Sequence, residues 1–293
     1  MRPLKLHPLA LLLLAGPALA AAPARSAGVA RGGAEWFGPK APPAPRRVVS
    51  LAPSLTDVVV ALGRSSLLVG VTRHDDAPEV AGLPRVGGFL DPSPEAVLAA
   101  KPDLVVWMTD GAAFPAVRRI AELGVPVLAM PIIGVADALE AVRMVGAALG
   151  DAPAGEKLAR SLSEAVERVR RRAAELPRVR VLFVAGHQPL VVAGPGSFPD
   201  ELLRIAGGDN VATGDRPWPV YALERAVADD PTLVVDAAVA EPAEGMRRLA
   251  AIPAVRAGRV VRLGSDDILR PGPRMVRALG ELFRALHPGV EAP

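Results

Sequence analysis

Two stretches of this chain share one spacing. Glu95 is followed seven residues later by Pro102 and then by Leu104-Val105-Val106; Glu224 is followed seven residues later by Pro231 and then by Leu233-Val234-Val235. A helix–loop–strand unit that recurs in this way points to two pseudo-symmetric α/β halves rather than one continuous sheet. The residues around each copy agree. Short apolar, β-branched runs (Val48 to Leu51, Leu67 to Val71, Leu104 to Val106, Val125 to Met130) alternate with amphipathic segments (Ala116 to Leu123, Val135 to Leu149), and the same alternation resumes from Val181 to Leu286. Such alternation is the pattern of βαβ units and a mostly parallel sheet. Between the halves, Pro153 to Leu176 carries Leu158, Leu162, Val166 and Val169 on one face and charges on the other, which predicts one long helix stopped by Pro177. Ser54, with Asp57 three residues on, is expected to cap the first helix, and Ser93-Pro94 to open another.

The first residues read as an export signal. Arg2 and Lys5 precede an apolar run from Leu9 to Leu14, Gly16 and Pro17 break it, and Ala18-Leu19-Ala20 is a small-x-small cleavage site. The run is too short for a membrane span, which needs about 20 apolar residues. With no cysteine in the chain, the exported product has neither a disulfide nor a lipidation site, so it is expected to be periplasmic and not a lipoprotein. The expected organisation is a signal over 1–20, a flexible Ala/Gly/Pro-rich lead-in over 21–46 tacked down by Trp36 and Phe37, an N-terminal lobe over 47–150, a linking helix over 151–177 and a C-terminal lobe over 178–293.

Charge argues against nucleic acid. The chain's +3 includes Arg2 and Lys5 of the signal, so the remainder is near +1 (3 − 2), and its basic cluster at Arg168 to Arg172 is interleaved with Glu164, Glu167 and Glu175. Enzyme motifs are also missing. Gly194-Pro195-Gly196 does not continue into a dinucleotide fingerprint, and there is no P-loop, nucleophile elbow or H-E-x-x-H. The four histidines, His7, His74, His187 and His287, have no metal-ligand spacing, and a metal-cluster α/β enzyme subunit is disfavoured by the lack of cysteine. Neither an enzyme nor a resident cofactor is expected.

Several segments resemble the family of periplasmic binding proteins for iron–siderophores and cobalamin, with its helical-backbone architecture. They are Arg47-Val48-Val49-Ser50-Leu51-Ala52-Pro53-Ser54-Leu55-Thr56-Asp57, Gly70 to Pro78, Pro84 to Phe89, Ser93 to Val106, Arg216-Pro217-Trp218-Pro219 with Glu224, and Arg270 to Arg274. The resemblance spans most of the chain beyond the signal. It implies an α/β fold of two Rossmann-like lobes bridged by a single long α-helix, with the ligand in the cleft between them. It further implies a monomeric substrate-binding protein that serves an ABC permease dimer and its ATPase. The cargo implied is cobalamin or a related corrinoid, with haem or a ferric siderophore as the alternatives.

The same resemblance assigns roles. Glu95 and Glu224, one per half, are expected to dock on permease arginines through charge-assisted pairs. Phe89 and Trp218 are expected to line the cleft, with Trp107 nearby but one residue off the family register. Tyr221, the chain's one tyrosine, lies three residues after Trp218 and joins the candidates. His74 stands where an aromatic residue is usual and would be a metal ligand only if the cargo were haem; His187 is a further candidate. Asp266, Arg270 and Arg274 are placed to reach a ligand's propionates, amides or catecholates.

Overall fold

The computed structural model describes residues 33–109 and 113–293. The expected signal and the first part of the lead-in, residues 21–32, lie outside the described residues. The first half contributes β1 (Glu35–Phe37), β2 (Val48–Ser50), α1 (Pro53–Ala61), β3 (Leu68–Gly70), α2 (Pro94–Ala99), β4 (Leu104–Met108), α3 (Phe114–Glu122), β5 (Val127–Met130) and α4 (Val135–Ala148). Its sheet runs β1-β5-β4-β2-β3, parallel throughout except for β1, which pairs antiparallel with β5. After α5 (Ala152–Ala174) the second half contributes β6 (Val179–His187), β7 (Leu190–Val192), α6 (Phe198–Ile205), β8 (Gly208–Asn210), α7 (Leu223–Ala228), β9 (Leu233–Asp236), α8 (Pro253–Arg256), β10 (Val260–Arg262) and α9 (Met275–Leu286). Its sheet runs β10-β9-β6-β7, with β8 also on β6 and only β7 antiparallel.

Period-2 alternation along the strands divides the interior into three cores. Val48, Leu104, Val106, Leu128 and Met130 of the first sheet share one apolar cluster with Val181, Phe183 and Val235 of the second. The intervening residues Val49, Val105, Trp107, Val127 and Ala129 face a cluster confined to the first half, and Leu182, Val184 and Val234 face one confined to the second. Both faces of each parallel sheet are therefore covered, as such sheets require.

The shared core is closed by α5, 23 residues and roughly 35 Å at 1.5 Å per residue. Asp151 caps it, accepting from the Ala154 amide at 3.1 Å. It packs against α4 and also against α6 and α9. Its buried stripe is Gly155, Ala159, Leu162, Ala165, Val166, Val169 and Ala173, smaller at the ends than the leucine–valine face alone suggests. Gly155 meets Gly146 of α4 so closely that a Cβ on Gly146 would lie 2.6 Å from the Gly155 Cα, so the two helix backbones touch there.

Two local expectations are corrected, and one strand is added. Ala52, not Ser54, is the N-cap of α1, and no side chain caps that end; Ser54 lies inside the helix and Asp57 turns to an arginine instead. The Ala/Gly/Pro-rich lead-in carries a strand, because Glu35–Phe37 completes the open edge of β5. The polar segment Gly208–Asn210, unremarked in the sequence, pairs with β6. Ser93, in contrast, caps α2 as expected, accepting from the Ala96 amide at 3.1 Å with Pro94 in the first turn.

Candidate functional site

The carboxyl ends of parallel strands are where open α/β sheets present their loops to ligands. In this chain the loops after β2, β3 and β4 meet the turn that precedes α9 around a cavity of about 530 Å³. The first half supplies Ala52, Pro53 and Ser54 after β2, Arg73, His74, Phe89, Leu90 and Asp91 after β3, and Met108 at the end of β4. The second half supplies Asp266, Leu269, Arg270 and Pro271.

Local chemistry explains the shape of the 72–76 loop. Asp75 is buried and its Oδ2 accepts from the Thr72 amide at 2.7 Å and the Thr72 hydroxyl at 2.6 Å; the same hydroxyl oxygen accepts from the His74 amide at 3.2 Å. This tight polar knot leaves Arg73 and His74 on the outside, facing the cavity. Arg73 donates from Nη1 to both oxygens of Asp91, at 3.1 and 3.2 Å, and from Nη2 to Asp91 as well.

Across the cavity Arg270 is buried, at 8% exposure, and donates to Asp76 at 2.8 Å, Asp266 at 2.9 Å and the His74 carbonyl at 3.4 Å. Burial pulls the Arg270 guanidinium down, but its bonds to Asp266 and Asp76 outweigh this and hold it above the usual arginine range. Both arginines of the wall are thus matched by carboxylates: Arg73 and Arg270 against Asp91 and Asp266 sum to zero. The remaining surface is mostly apolar, from Phe89, Leu90, Met108, Leu269 and the two prolines.

Of the residues singled out in the sequence, the structure brings His74, Phe89, Asp266 and Arg270 to this cavity. Trp107 does not reach it. It is 1% exposed and packs in the core of the first half against Phe114, with ring centroids 6.3 Å apart, because alternation along β4 turns 107 away and presents Met108. Tyr221 is likewise buried; its hydroxyl donates to Asp229 and accepts from the Thr213 amide at 3.2 Å, while its neighbour Val220 points out. His187 is sealed in the second half, its Nε2 2.9 Å from Asp236 Oδ1 and its Nδ1 3.2 Å from Glu241 Oε2, and is not among the residues lining this cavity. Arg274 points away from the cavity and pairs with Asp57 at 2.8 Å and Asp76 at 2.9 Å. Trp218 is exposed, on a loop whose Pro217 carbonyl accepts from the Gly194 amide at 2.9 Å, and stands outside the cavity lining.

Glu95 and Glu224 are both exposed and both occupy the first turn of a six-residue helix, α2 and α7. Arg73, Leu90, Asp91, Met108 and Leu269 were not singled out in the sequence. Their position after strand ends was the one available signal.

Residues 48–266 match the periplasmic binding protein family, and the chain belongs to it. A vitamin B12-binding protein of Vibrio parahaemolyticus is 27% identical over 240 residues, which are 80% of this chain and 87% of that one. The crystal structure of a periplasmic heme-binding protein from Pseudomonas aeruginosa, 27% identical, superposes with a TM-score of 0.76 over 85% of this chain and 95% of that one. The periplasmic vitamin B12 binding protein of Vibrio cholerae shares the fold at 23% identity, with a TM-score of 0.72 over 82% of this chain and 96% of that one. The chain is accordingly a solute-binding component of ABC-type import with a two-lobed α/β fold, and not an enzyme.

Proposed function

We propose that this chain binds cobalamin or a related corrinoid in the cavity between its lobes and delivers it to an inner-membrane ABC permease. One observation carries the choice of ligand. The cavity wall is apolar and its charges cancel, with Arg73 held by Asp91 and Arg270 by Asp76 and Asp266. A corrinoid offers a broad apolar ring edged by neutral amides, which suits such a wall. Haem carries two propionates and ferric catecholates carry a net negative charge; each would need free cations, and a buried charge without a partner is costly. The relationship to vitamin B12-binding proteins points the same way.

Haem is the second reading. It is favoured by His74, exposed on the cavity wall, and by the likeness to heme-binding proteins. Calorimetry with cyanocobalamin, dicyanocobinamide, haemin and a ferric siderophore separates the two. The corrinoids are expected to bind and the anionic ligands not to; binding of haemin alone would replace the proposal. Export through the Ala18-Leu19-Ala20 site, with a mature chain from Ala21 free in the periplasm, belongs to the same reading, as does docking of Glu95 and Glu224 on the permease.

A further inference from the structure

Seven charged side chains form one lattice where the two lobes meet. Asp57 on α1 and Asp76 in the loop after β3 belong to the first lobe; Asp266, Asp267, Arg270, Arg274 and Arg277 belong to the second. Three ion pairs cross between the lobes: Arg270 to Asp76 at 2.8 Å, Arg274 to Asp76 at 2.9 Å, and Arg274 to Asp57 at 2.8 Å. A single oxygen, Asp76 Oδ1, accepts from both arginines. On the second lobe, Asp266 ties back to Arg270, and Asp267 lies 3.5 Å from Arg274 and pairs with Arg277. Between the two crossing arginines, Gly272 lies so close to α1 that a Cβ there would sit 3.0 Å from the Ser54 carbonyl oxygen. The lattice separates two cavities. Arg270 and Asp266 face the ligand cavity, whereas Asp57, Asp76, Arg274 and Arg277 line a second space of about 460 Å³ on the other side.

We propose that Asp76 is a positioning residue for ligand binding: it passes the anchorage of the Asp57–Arg274 pair to Arg270, so that a contact outside the cleft sets both the separation of the lobes and the place of Arg270 on the cavity wall. The proposal rests on the reading of that cavity as the ligand site. Its physical basis is the asymmetry between exposed and buried pairs. An exposed ion pair constrains little, but a buried guanidinium is held strictly to its partners, because every alternative placement leaves a charge unmatched. Arg270 is such a group, and of its carboxylate partners only Asp76 comes from the opposite lobe. Asp57 shows the same priority of geometry over stability, since it is buried with one oxygen, Oδ2, lacking any hydrogen-bond partner.

Asp76→Asn tests this with little risk to folding. The side chain is 54% exposed, the replacement is isosteric, and Arg270 keeps Asp266 while Arg274 keeps Asp57. The chain has no cysteine, so Arg118→Cys on α3 and Arg256→Cys on α8 place one spin label on each lobe. Pulsed electron–electron distances in the ligand-free protein are expected to broaden in D76N, and the affinity for cyanocobalamin to fall about tenfold, the scale of a lost charged hydrogen bond. Asp209→Asn, which breaks the exposed Arg178–Asp209 pair on the second lobe, should move neither readout. Unchanged distances in D76N would overturn the role of Asp76 in setting the separation of the lobes. Broadened distances with unchanged affinity would overturn the positioning role. If none of the four candidate ligands binds the wild type, the functional reading fails, and the distances still decide whether Asp76 sets the lobes.

Discussion

Lys101 and Asp230 hold equivalent places in the two halves, each just ahead of the proline of the repeated unit, and each takes a positive φ, +48° and +43°. No other non-glycine among the described residues does so. Each half ends its short helix, α2 or α7, with this left-handed residue before turning into β4 or β9. The internal repeat is thus a repeat of backbone conformation as well as of spacing. An L-residue in this region is strained by about 1 kcal/mol or more, less for aspartate than for lysine. Lys101→Gly should therefore be neutral to stabilising, by up to about 1 kcal/mol after the entropic cost of glycine, and Asp230→Gly should gain less. Thermal melts of both variants check this; a clear loss of stability in Lys101→Gly would contradict the strain.

How far the fold could be read in advance depended on the length of each signal. Long periodic segments such as α4 and α5, and the repeated apolar runs of β4 and β9, announced themselves. The three-residue strands β1 and β8 did not, although the equally short but apolar β2 and β3 did, because the pairing of β1 and β8 comes from a neighbouring edge and not from their own composition. In the site, the limit was phase. Trp107 and Met108 are adjacent, and a one-residue choice along β4 decides which of them faces the cavity. Arg270 and Arg274 stand four residues apart and share Asp76, yet they serve opposite sides of the interlobe lattice; Asp57, some 200 residues earlier, draws Arg274 to one side while Asp266 holds Arg270 on the other.

Asp57 should give the fold an unusual pH response. Burial pushes its carboxyl up to about 6, against the pull of Arg274 and Arg270 and with a small push from Asp76. A carboxyl raised in the folded state binds its proton more tightly there than in the unfolded chain. Its stabilising contribution is therefore complete below the unfolded value of about 4 and is lost as pH rises through 6. Asp76 runs the other way: burial raises it, but the bonds from Arg274 and Arg270 win and hold it low, so its contribution is lost on acidification. The two are separated by comparing wild type with Asp57→Asn at each pH. The difference in melting temperature should shift in favour of the wild type as pH falls from 7 to about 4.5, within the window set by these values. A difference constant across that range would mean that Asp57 is already ionised throughout.

Glu95 and Glu224 make a symmetric pair of exposed carboxylates, one per repeated unit. If, as proposed, they dock on arginines of a two-fold permease dimer, reversing both charges should oppose association by several kcal/mol. Glu95→Arg with Glu224→Arg should keep ligand affinity in solution and abolish uptake by cells. Unimpaired uptake would reduce the two glutamates to partners of their helix dipoles.

Cobalamin and haem differ in what they ask of His74 and Trp218. Cobalamin usually arrives with both axial positions of its cobalt filled, so a histidine on the wall has no coordination to make. His74→Ala should then leave the spectrum of the bound corrinoid unchanged and weaken binding only modestly. Haem held through His74 would behave otherwise, with a displaced Soret band and a large loss of affinity in the same variant. Trp218 adds a second readout. Its ring is exposed on a second-lobe loop, outside the cavity lining. If a corrinoid wide enough to overhang the cavity reaches this loop, tryptophan fluorescence should fall on binding. The buried Trp107, fixed in the core of the first half, cannot substitute for that contact. Trp218→Ala should then remove most of the quenching and, for an aromatic anchor, weaken binding by about 2 kcal/mol, or roughly thirtyfold. Quenching that survives Trp218→Ala would confine the ligand to the cavity walls built by Phe89, Leu90 and Met108, with Trp218 left to the surface.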